Sequence, residues 1–560
     1  MVLNNALSNV GAPTTNEAPL TSAIKFALAR QQLPDISVVD PVKKALAVEE
    51  LKKSKPNVAS LLPKLCDGIF IVCQHKDRQY AIVREGNEYK AVPMNGTQML
   101  LLITDCFFKH SRLIPPEYIV AQYYTAQKYI SVKSAFDVPV VKRAAQTDSN
   151  AVEINLAKEG KVVEIDSVGY RVKTQLESKC QFLTLSNYHD LSTPVPQGEG
   201  DIEPLWKFVN VAGQSNQLLL ITSMLYSFWG RGGYPFVCFI GQAGSGKSES
   251  ARNVIKLIDN SPVQLRALSG NDTDLFLACN NSHVIGFDNI SDISEKLSNK
   301  LCMVVTGATH ATRKLYTNDE ESYLYLCNPL FATSITLPVT KADLMDRAIA
   351  LQCNRLDETS RVTEDELNLE FKQAAPVIMG GLFDLLSKTI GIIPEFTYER
   401  VHRLADFSIF GQCVAIALGL KAEDFLTAFE MNQKQMATNI GESDCLIEPL
   451  MNTLSNLSSN RWEGNTTKLL EQIGPEMKPR DWPVNAAAGG KRFIALQPVL
   501  KLLGVDYQVV ESGKRKVIIT KLPNFDAAAY NSLSTSAPPF KPAKLTTHAA
   551  IAQLIPDLDE

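Results

Sequence analysis

The sequence predicts an α/β fold, and three stretches predict it. The apolar run Phe236-Val-Cys-Phe-Ile240 leads into Gly241-Gln-Ala-Gly244-Ser245-Gly246-Lys247-Ser248, which leads into a helical pattern from Glu249 to Ile258. A second apolar run, His283-Val-Ile-Gly-Phe287, ends in Asp288-Asn289. A third is Leu330-Phe-Ala-Thr333-Ser-Ile335. Short apolar runs that alternate with helical patterns read as buried strands joined by helices.

The chain has 560 residues, enough for about two to four domains with substantial cores. Charged residues make up 21% and hydrophobic ones 45%, an ordinary balance for a globular protein. A formal net charge of −4 argues against wholesale coating of nucleic acid. It leaves room for a local basic surface, because only charge facing the phosphates counts. No run is read as reaching the roughly 18 apolar residues that span a bilayer, so no membrane partner is expected. The N-terminus lacks a basic segment followed by an apolar one, so no signal peptide is expected. The 11 cysteines are scattered, without Cys-x-x-Cys, which fits reduced thiols in a cytoplasm.

Residues 1–195 read as an N-terminal α+β domain with a loosely built start. Helical patterns run from Leu20 to Gln32, from Pro41 to Lys53, near Gly96 to Lys109 and from Glu153 to Lys158. Strand candidates are Gly68 to Gln74, Gln79 to Arg84, Lys161 to Ile165 and Gly169 to Thr174, with a hairpin turn at Glu85-Gly-Asn87. Pro194-Val-Pro-Gln-Gly-Glu-Gly200 marks a boundary. Residues 201–435 hold the three apolar runs, preceded by an apolar helix from Gln217 to Trp229. A smaller module spans 445–522. Residues 523–560 are rich in Ala, Ser and Pro and read as a flexible tail.

The loop after Ile240 has the spacing G-x-x-x-x-G-K-S between a strand and a helix, the P-loop in its required context. Glycines let main-chain N–H groups approach phosphate oxygens, and the helix adds its positive end. Gly241, Gly244, Ser245, Gly246, Lys247 and Ser248 would hold ATP, with Lys247 at the β- and γ-phosphates. Ser248 would ligate Mg²⁺, and Asp288, at the tip of a neighbouring strand, is the expected second ligand. The competing readings are a plain glycine turn and a plain Asp-Asn turn. Asn289 stands where many ATPases carry a glutamate; an amide orients water but is a poor base. Glu249 and Asp292 are weak substitutes.

Two strand-like pieces flank Asn318-Asp-Glu-Glu321 and predict a β-hairpin carrying Arg313, Lys314 and Tyr316. Thr333 fits a sensor of the γ-phosphate; otherwise its hydroxyl serves nearby backbone. Arg347 could reach a neighbouring subunit's nucleotide as an arginine finger. Its alternative is an ion pair with Asp343 or Asp346.

In this order the residues resemble the superfamily 3-like AAA+ ATPases of phages, plasmids, satellites and integrative elements. They are especially similar to a family of bacterial and phage ATP-binding proteins related to poxvirus-type primase–helicases. The matching segments are Gly286-Phe-Asp-Asn-Ile-Ser291, Ala311-Thr-Arg-Lys-Leu-Tyr-Thr317, Asp343-Leu-Met-Asp-Arg347 and Arg403-Leu-Ala-Asp-Phe407. Trp462-Glu-Gly-Asn-Thr-Thr-Lys-Leu-Leu470 matches more weakly, and the resemblance runs over roughly 165–520. It implies an AAA+ core, a homo-oligomeric ring of hexameric size, ATP between subunits, and a hairpin lining a channel for single-stranded DNA. The family usually has Asn where this chain has Thr333.

Cations on the hairpin would neutralise phosphate, with Lys296 and Lys300 on the preceding helix; the alternative is pairing with Asp319, Glu320 and Glu321. The 445–522 module reads helix (Thr466 to Ile473), helix (Arg492 to Leu503), strand, turn and strand. That is a winged-helix-like order with Lys514, Arg515 and Lys516 at the wing, suited to a duplex origin or to protein contact. The expected function is an ATP-dependent DNA helicase or translocase for replication of a mobile element or phage. The rival is a regulatory or scaffold NTPase that unwinds nothing.

Overall fold

The computed structural model describes residues 22–525, apart from 77, 95–96, 134, 148–149, 185–188, 230–231, 270–271, 292, 314–320, 340, 357–362, 476 and 511–515. The chain begins with α1 (Ser22–Gln31), α2 (Pro41–Leu51) and α3 (Val58–Cys66). Then come β1 (Phe70–His75), β2 (Arg78–Glu85), β3 (Glu88–Pro93), α4 (Thr97–Ser111), α5 (Glu117–Val132) and β4 (Phe136–Asp137). The strands form one sheet in the order β3-β2-β1-β4. Alternation along β2 explains its two covered faces. Ala81 and Val83 pack towards α3 and α4, while Tyr80 and Ile82 pack towards Phe26 of α1. The expected hairpin at Glu85-Gly-Asn87 joins β2 to β3, with Glu85 opposite Glu88.

A second region holds β5 (Val140–Val141), β6 (Ala144–Gln146), β7 (Val152–Asn155), β8 (Lys161–Ile165), β9 (Tyr170–Thr174) and β10 (Gln181–Phe182). The segment expected as a helix from Glu153 to Lys158 is instead β7, followed by a turn. Its Val152 and Ile154 enter the core, whereas Glu153 points the other way, a two-residue period. Glu153 is buried, and Lys173 (2.6 Å), Ser178 and two main-chain N–H groups hold its carboxylate. Glu164 lies directly opposite Glu153, and Lys173 also reaches it at 3.2 Å, separating two like charges. The antiparallel sheet β6-β7-β8-β9 shares one continuous core with the region after residue 201, so the core does not divide at residues 195–201.

That region contains α6 (Leu205–Phe208), α7 (Gln214–Trp229), β11 (Phe236–Ile240), α8 (Lys247–Ile258), α9 (Asp272–Asn281), β12 (Ile285–Phe287) and α10 (Glu295–Thr306). The hairpin β13 (Ala308–Arg313) and β14 (Glu321–Leu326) follows, then β15 (Leu330–Ser334), α11 (Ala342–Met345), β16 (Ala348–Gln352), α12 (Glu364–Ile392), α13 (Ala405–Ala417) and α14 (Ala422–Ser443). The central sheet is wholly parallel, in the order β12-β15-β11-β16. Every residue of β11 is buried. Val237 and Phe239 face α7, α8 and α12, and Phe236, Cys238 and Ile240 face the core shared with α9 and α10. Two covered faces explain the unbroken apolar run.

α12 corrects one expectation. At 29 residues, with a mean hydropathy of 1.3 over its most apolar window, it is long and apolar enough to cross a membrane. Here 67% of that window is buried inside the protein, with Ile378, Met379, Leu382 and Phe383 in the core.

The C-terminal module is α15 (Ile447–Ser455), β17 (Arg461–Gly464), α16 (Thr466–Ile473), α17 (Ala486–Leu502), β18 (Val505–Val510) and β19 (Lys516–Lys521), with sheet order β17-β19-β18. α17 starts before the expected Arg492, capped by Asn485, whose side chain accepts from the Ala488 N–H. Gly489 lets α17 lie close to α16, where a Cβ would meet the end of the Leu470 side chain at 2.7 Å. The expected tail lies outside the described residues from 526 onward.

Candidate functional site

Ligands of parallel α/β sheets gather at the carboxyl ends of the strands. There β11 ends and the chain turns through Gly241, Gly244, Ser245 and Gly246 into α8, which begins at Lys247 and Ser248. Gly244 and Gly246 have φ of 80° and 68°, the left-handed region that disfavours a Cβ. Gly241 is needed for space: a Cβ would meet the Ser245 hydroxyl at 2.6 Å and the Cys353 carbonyl at 2.7 Å. The Ser245 hydroxyl is buried without a partner among the described residues. Asn210 holds the loop from behind. Its Nδ2 donates to the Ser245 carbonyl (2.8 Å) and the Asn354 carbonyl (2.6 Å). Among the described residues the Lys247 ammonium makes a long contact, 3.5 Å, to the Gln242 carbonyl.

The acid stands across from the loop. Phe287 pairs with Ala332, so Asp288 and Thr333 reach the same level of the sheet. Because β15 lies between β11 and β12, Thr333 lies between the loop strand and the acid. The Ser248 hydroxyl donates to Asp288 Oδ1 at 2.8 Å, and the Thr333 hydroxyl donates to the same oxygen at 2.7 Å. Thr333 Oγ1 also accepts the Asn289 main-chain N–H at 2.8 Å. Asn289 has φ of 48°, a conformation asparagine tolerates well. Burial pushes the Asp288 carboxyl up. The hydrogen bonds from Thr333 and Ser248, with Arg252 nearby, outweigh that and leave it below the ordinary value.

The residues therefore fit a magnesium nucleotide. Ser248 Oγ and Asp288 Oδ1 are adjacent hard oxygen donors, which Mg²⁺ takes together with phosphate oxygens. The glycine loop and the start of α8 offer main-chain N–H groups to the phosphates. Neither expected role of Thr333 describes its hydroxyl fully: it bridges the acid and the backbone of the next residue. Glu249 faces Arg252 at 3.4 Å and Lys256 at 3.8 Å, so its carboxylate is paired along the helix. Asp292 lies outside the described residues.

Arg347 is not brought to this site. It precedes β16, and its carbonyl accepts from the Phe236 N–H at the start of β11. It thus stands on the opposite rim of the sheet from the loop, about 13 Å away along the strands at 3.3 Å per residue. Its guanidinium pairs with Asp343 at 2.6 Å. Arg403 bridges the same Asp343 (2.5 Å) and Asp346 (2.7 Å).

The expected hairpin is present, with Arg313 opposite Glu321 in register. Lys314 and Tyr316 lie outside the described residues, as do Lys514 and Arg515. Lys516 begins β19 and pairs with Glu463 of β17 at 2.8 Å. Lys296 and Lys300 lie on α10.

Five residues that hold the loop, the acid or the helix between them were not foreseen. Arg252, whose Nη2 is 3.7 Å from Asp288 Oδ2, stands four residues after Ser248 on α8. That spacing puts both on one helix face and could have flagged it. Asn210 and the buried pair Arg143–Asp259 (2.9 Å) act across long separations and carry no local signal. Asp259 ends α8, and its other oxygen accepts the N–H groups of His283 and Val284. The fifth, Lys142, is half-buried beside Arg143 and donates to the carbonyls of Cys279 and Ser282.

Residues 202–433 match the family model of an actinomycete integrative conjugative element replication protein, and residues 447–535 match that of the AICE RepA C-terminal domain. No curated protein matches. Among solved structures the chain is similar to the A form apo structure of the NrS-1 C-terminal region. Identity is 14%, over 84% of this chain and 100% of that one, with a TM-score of 0.36. A second A form of that region matches at 12% identity, over 80% and 96%, also with a TM-score of 0.36.

Proposed function

We infer that the chain is a member of the actinomycete integrative conjugative element replication protein family, because residues 202–433 and 447–535 match two models of that family in order. From that premise we propose that it is an ATP-dependent, ring-forming DNA helicase or translocase with a superfamily 3-like AAA+ core, acting in the cytoplasm. One observation carries the reading: Ser248, Asp288 and Thr333 meet within hydrogen-bond distance beside a glycine loop. ATP bound there with Mg²⁺ supplies the phosphoanhydride whose cleavage drives movement. Lys247 balances the charge of the β- and γ-phosphates. Ser248 and Asp288 hold the ion, and Thr333 keeps Asp288 in position. Asn289 orients the attacking water.

On this reading Arg347 completes the site of the next subunit, since it lies on the far rim of its own sheet. The hairpin from Ala308 to Leu326 follows single-stranded DNA through the ring, a hexamer by the family resemblance. The winged-helix-like module contacts duplex at the origin.

The second reading, a regulatory or scaffold ATPase, is favoured by Asn289: the residue after Asp288 carries an amide where a carboxylate would take a proton. Steady-state ATP hydrolysis with and without single-stranded DNA tests the proposal. Hydrolysis should be stimulated by DNA and abolished by Lys247→Ala and by Asp288→Ala. Turnover indifferent to DNA would favour regulation. Wild-type-like turnover in either variant would refute the site.

A further inference from the structure

The hairpin presents an aromatic face that the nucleotide site does not use. Along β14, Leu326 is buried in the core, while Tyr323 and Tyr325 are exposed at 36% and 40%. Alternation puts both tyrosines on the side away from the core, about 7 Å apart. That is about twice the base-to-base rise along a nucleic acid strand, room for each ring to take its own base. In the register of the hairpin, position 309 stands opposite Tyr325 and position 311 opposite Tyr323.

A cation from another part of the chain completes the face. Lys76, in the turn between β1 and β2, is exposed, and its ammonium stands 4.2 Å from the centre of the Tyr325 ring. Among the described residues it has no ion-pair partner. Next to it, at the start of β2, Arg78 donates to Asn280 of α9 at 2.6 Å. Two rings flanked by a cation form the pairing that binds single strands. Bases stack on aromatic faces without regard to sequence, and the ammonium neutralises phosphate.

We propose that Tyr323, Tyr325 and Lys76 form a stacking platform for single-stranded DNA between the hairpin and the N-terminal sheet. The proposal rests on the DNA-moving reading but is tested without nucleotide, so the two can fail separately. The probe is fluorescein-labelled oligo(dT), titrated with the full chain and followed by anisotropy. Tyr323→Ala with Tyr325→Ala should bind about ten-fold more weakly or worse, whereas the paired Tyr→Phe variant stays within about two-fold. Paired Tyr→Leu keeps apolar bulk in the strands but should lose affinity as alanine does, which separates stacking from folding. Lys76→Ala should flatten the log–log salt dependence by about 0.7. Unchanged affinity in the alanine pair, equal loss in the phenylalanine pair, or equal loss on blunt duplex of the same length would each overturn the platform. If the wild type hydrolyses no ATP and the alanine pair still loses affinity, the platform stands and the motor reading falls.

Discussion

Thr333→Val tests how the acid is held. The two side chains have nearly the same shape, so the change removes a hydroxyl without opening a cavity. Two hydrogen bonds go: the one Thr333 donates to Asp288 at 2.7 Å and the one it accepts from the Asn289 N–H at 2.8 Å. A bond to a charged group contributes about 1.5–3 kcal/mol. Asp288 keeps 35% of its side chain exposed, so the lower end, about 1.5 kcal/mol, applies. The unpaired Asn289 N–H adds about 1 kcal/mol, and the buried methyl returns about 0.8 kcal/mol. The net loss is about 1.5–2 kcal/mol. If it falls on the catalytic geometry, turnover drops about ten- to thirty-fold, and half-maximal activity needs more magnesium. Thr333→Ser keeps both bonds and should retain most activity. The assay is steady-state hydrolysis across a magnesium titration, with urea unfolding in parallel. Wild-type turnover and magnesium dependence in Thr333→Val would refute the claim that this hydroxyl positions Asp288.

Arg347→Ala should keep nucleotide binding and lose most turnover, and mixing it with Lys247→Ala protein should restore part of the activity. No rescue, with assembly confirmed by light scattering, would count against a site shared between subunits. Arg143→Met should lower stability by about 3–5 kcal/mol in urea, because Asp259 would remain buried without its counter-charge. Adding Asp259→Asn should recover part of that, and a single-variant loss below about 1 kcal/mol would show that the pair matters little. His283 is buried, and burial holds its imidazole below the ordinary 6.5. As pH falls below about 6.5 the unfolded chain takes the proton first, so stability is full above that pH and declines beneath it. His283→Gln should flatten the decline in urea midpoints between about pH 7 and 5; an unchanged slope would rule out this histidine as its source.

The elements that sequence conveys well are those whose causes are local. Gly241 to Ser248 needs left-handed glycines and a helix start, and both are written in adjacent residues. The unbroken apolar run of β11 is likewise written in adjacent residues, as are the two strand-like pieces that become β13 and β14. Other features depend on partners far along the chain. Glu153 looks helical in isolation, yet Lys173, Ser178 and the Lys179 N–H secure it in a strand. The composition of α12 resembles a membrane span because a helix enclosed by protein meets the same apolar demand as one enclosed by lipid. The bond from Thr333 to Asp288 depends on strand order, which apolar runs do not encode. Short β17 was missed for a similar reason: Arg461 to Gly464 pairs only with β19, more than fifty residues later.

The position of Arg347 at the start of β16, with the glycine loop at the far end of β11, bears on stoichiometry. If catalysis requires both, a lone chain holds two half-sites and no whole one. Complete sites are then counted by contacts between chains. An open row of subunits always lacks one site relative to its membership, and only closure into a ring gives every chain a full complement. Specific activity should accordingly rise with protein concentration and level off once rings are closed. Dilution would act as an inhibitor, and a cell holding few copies would contain binding-competent but idle protein.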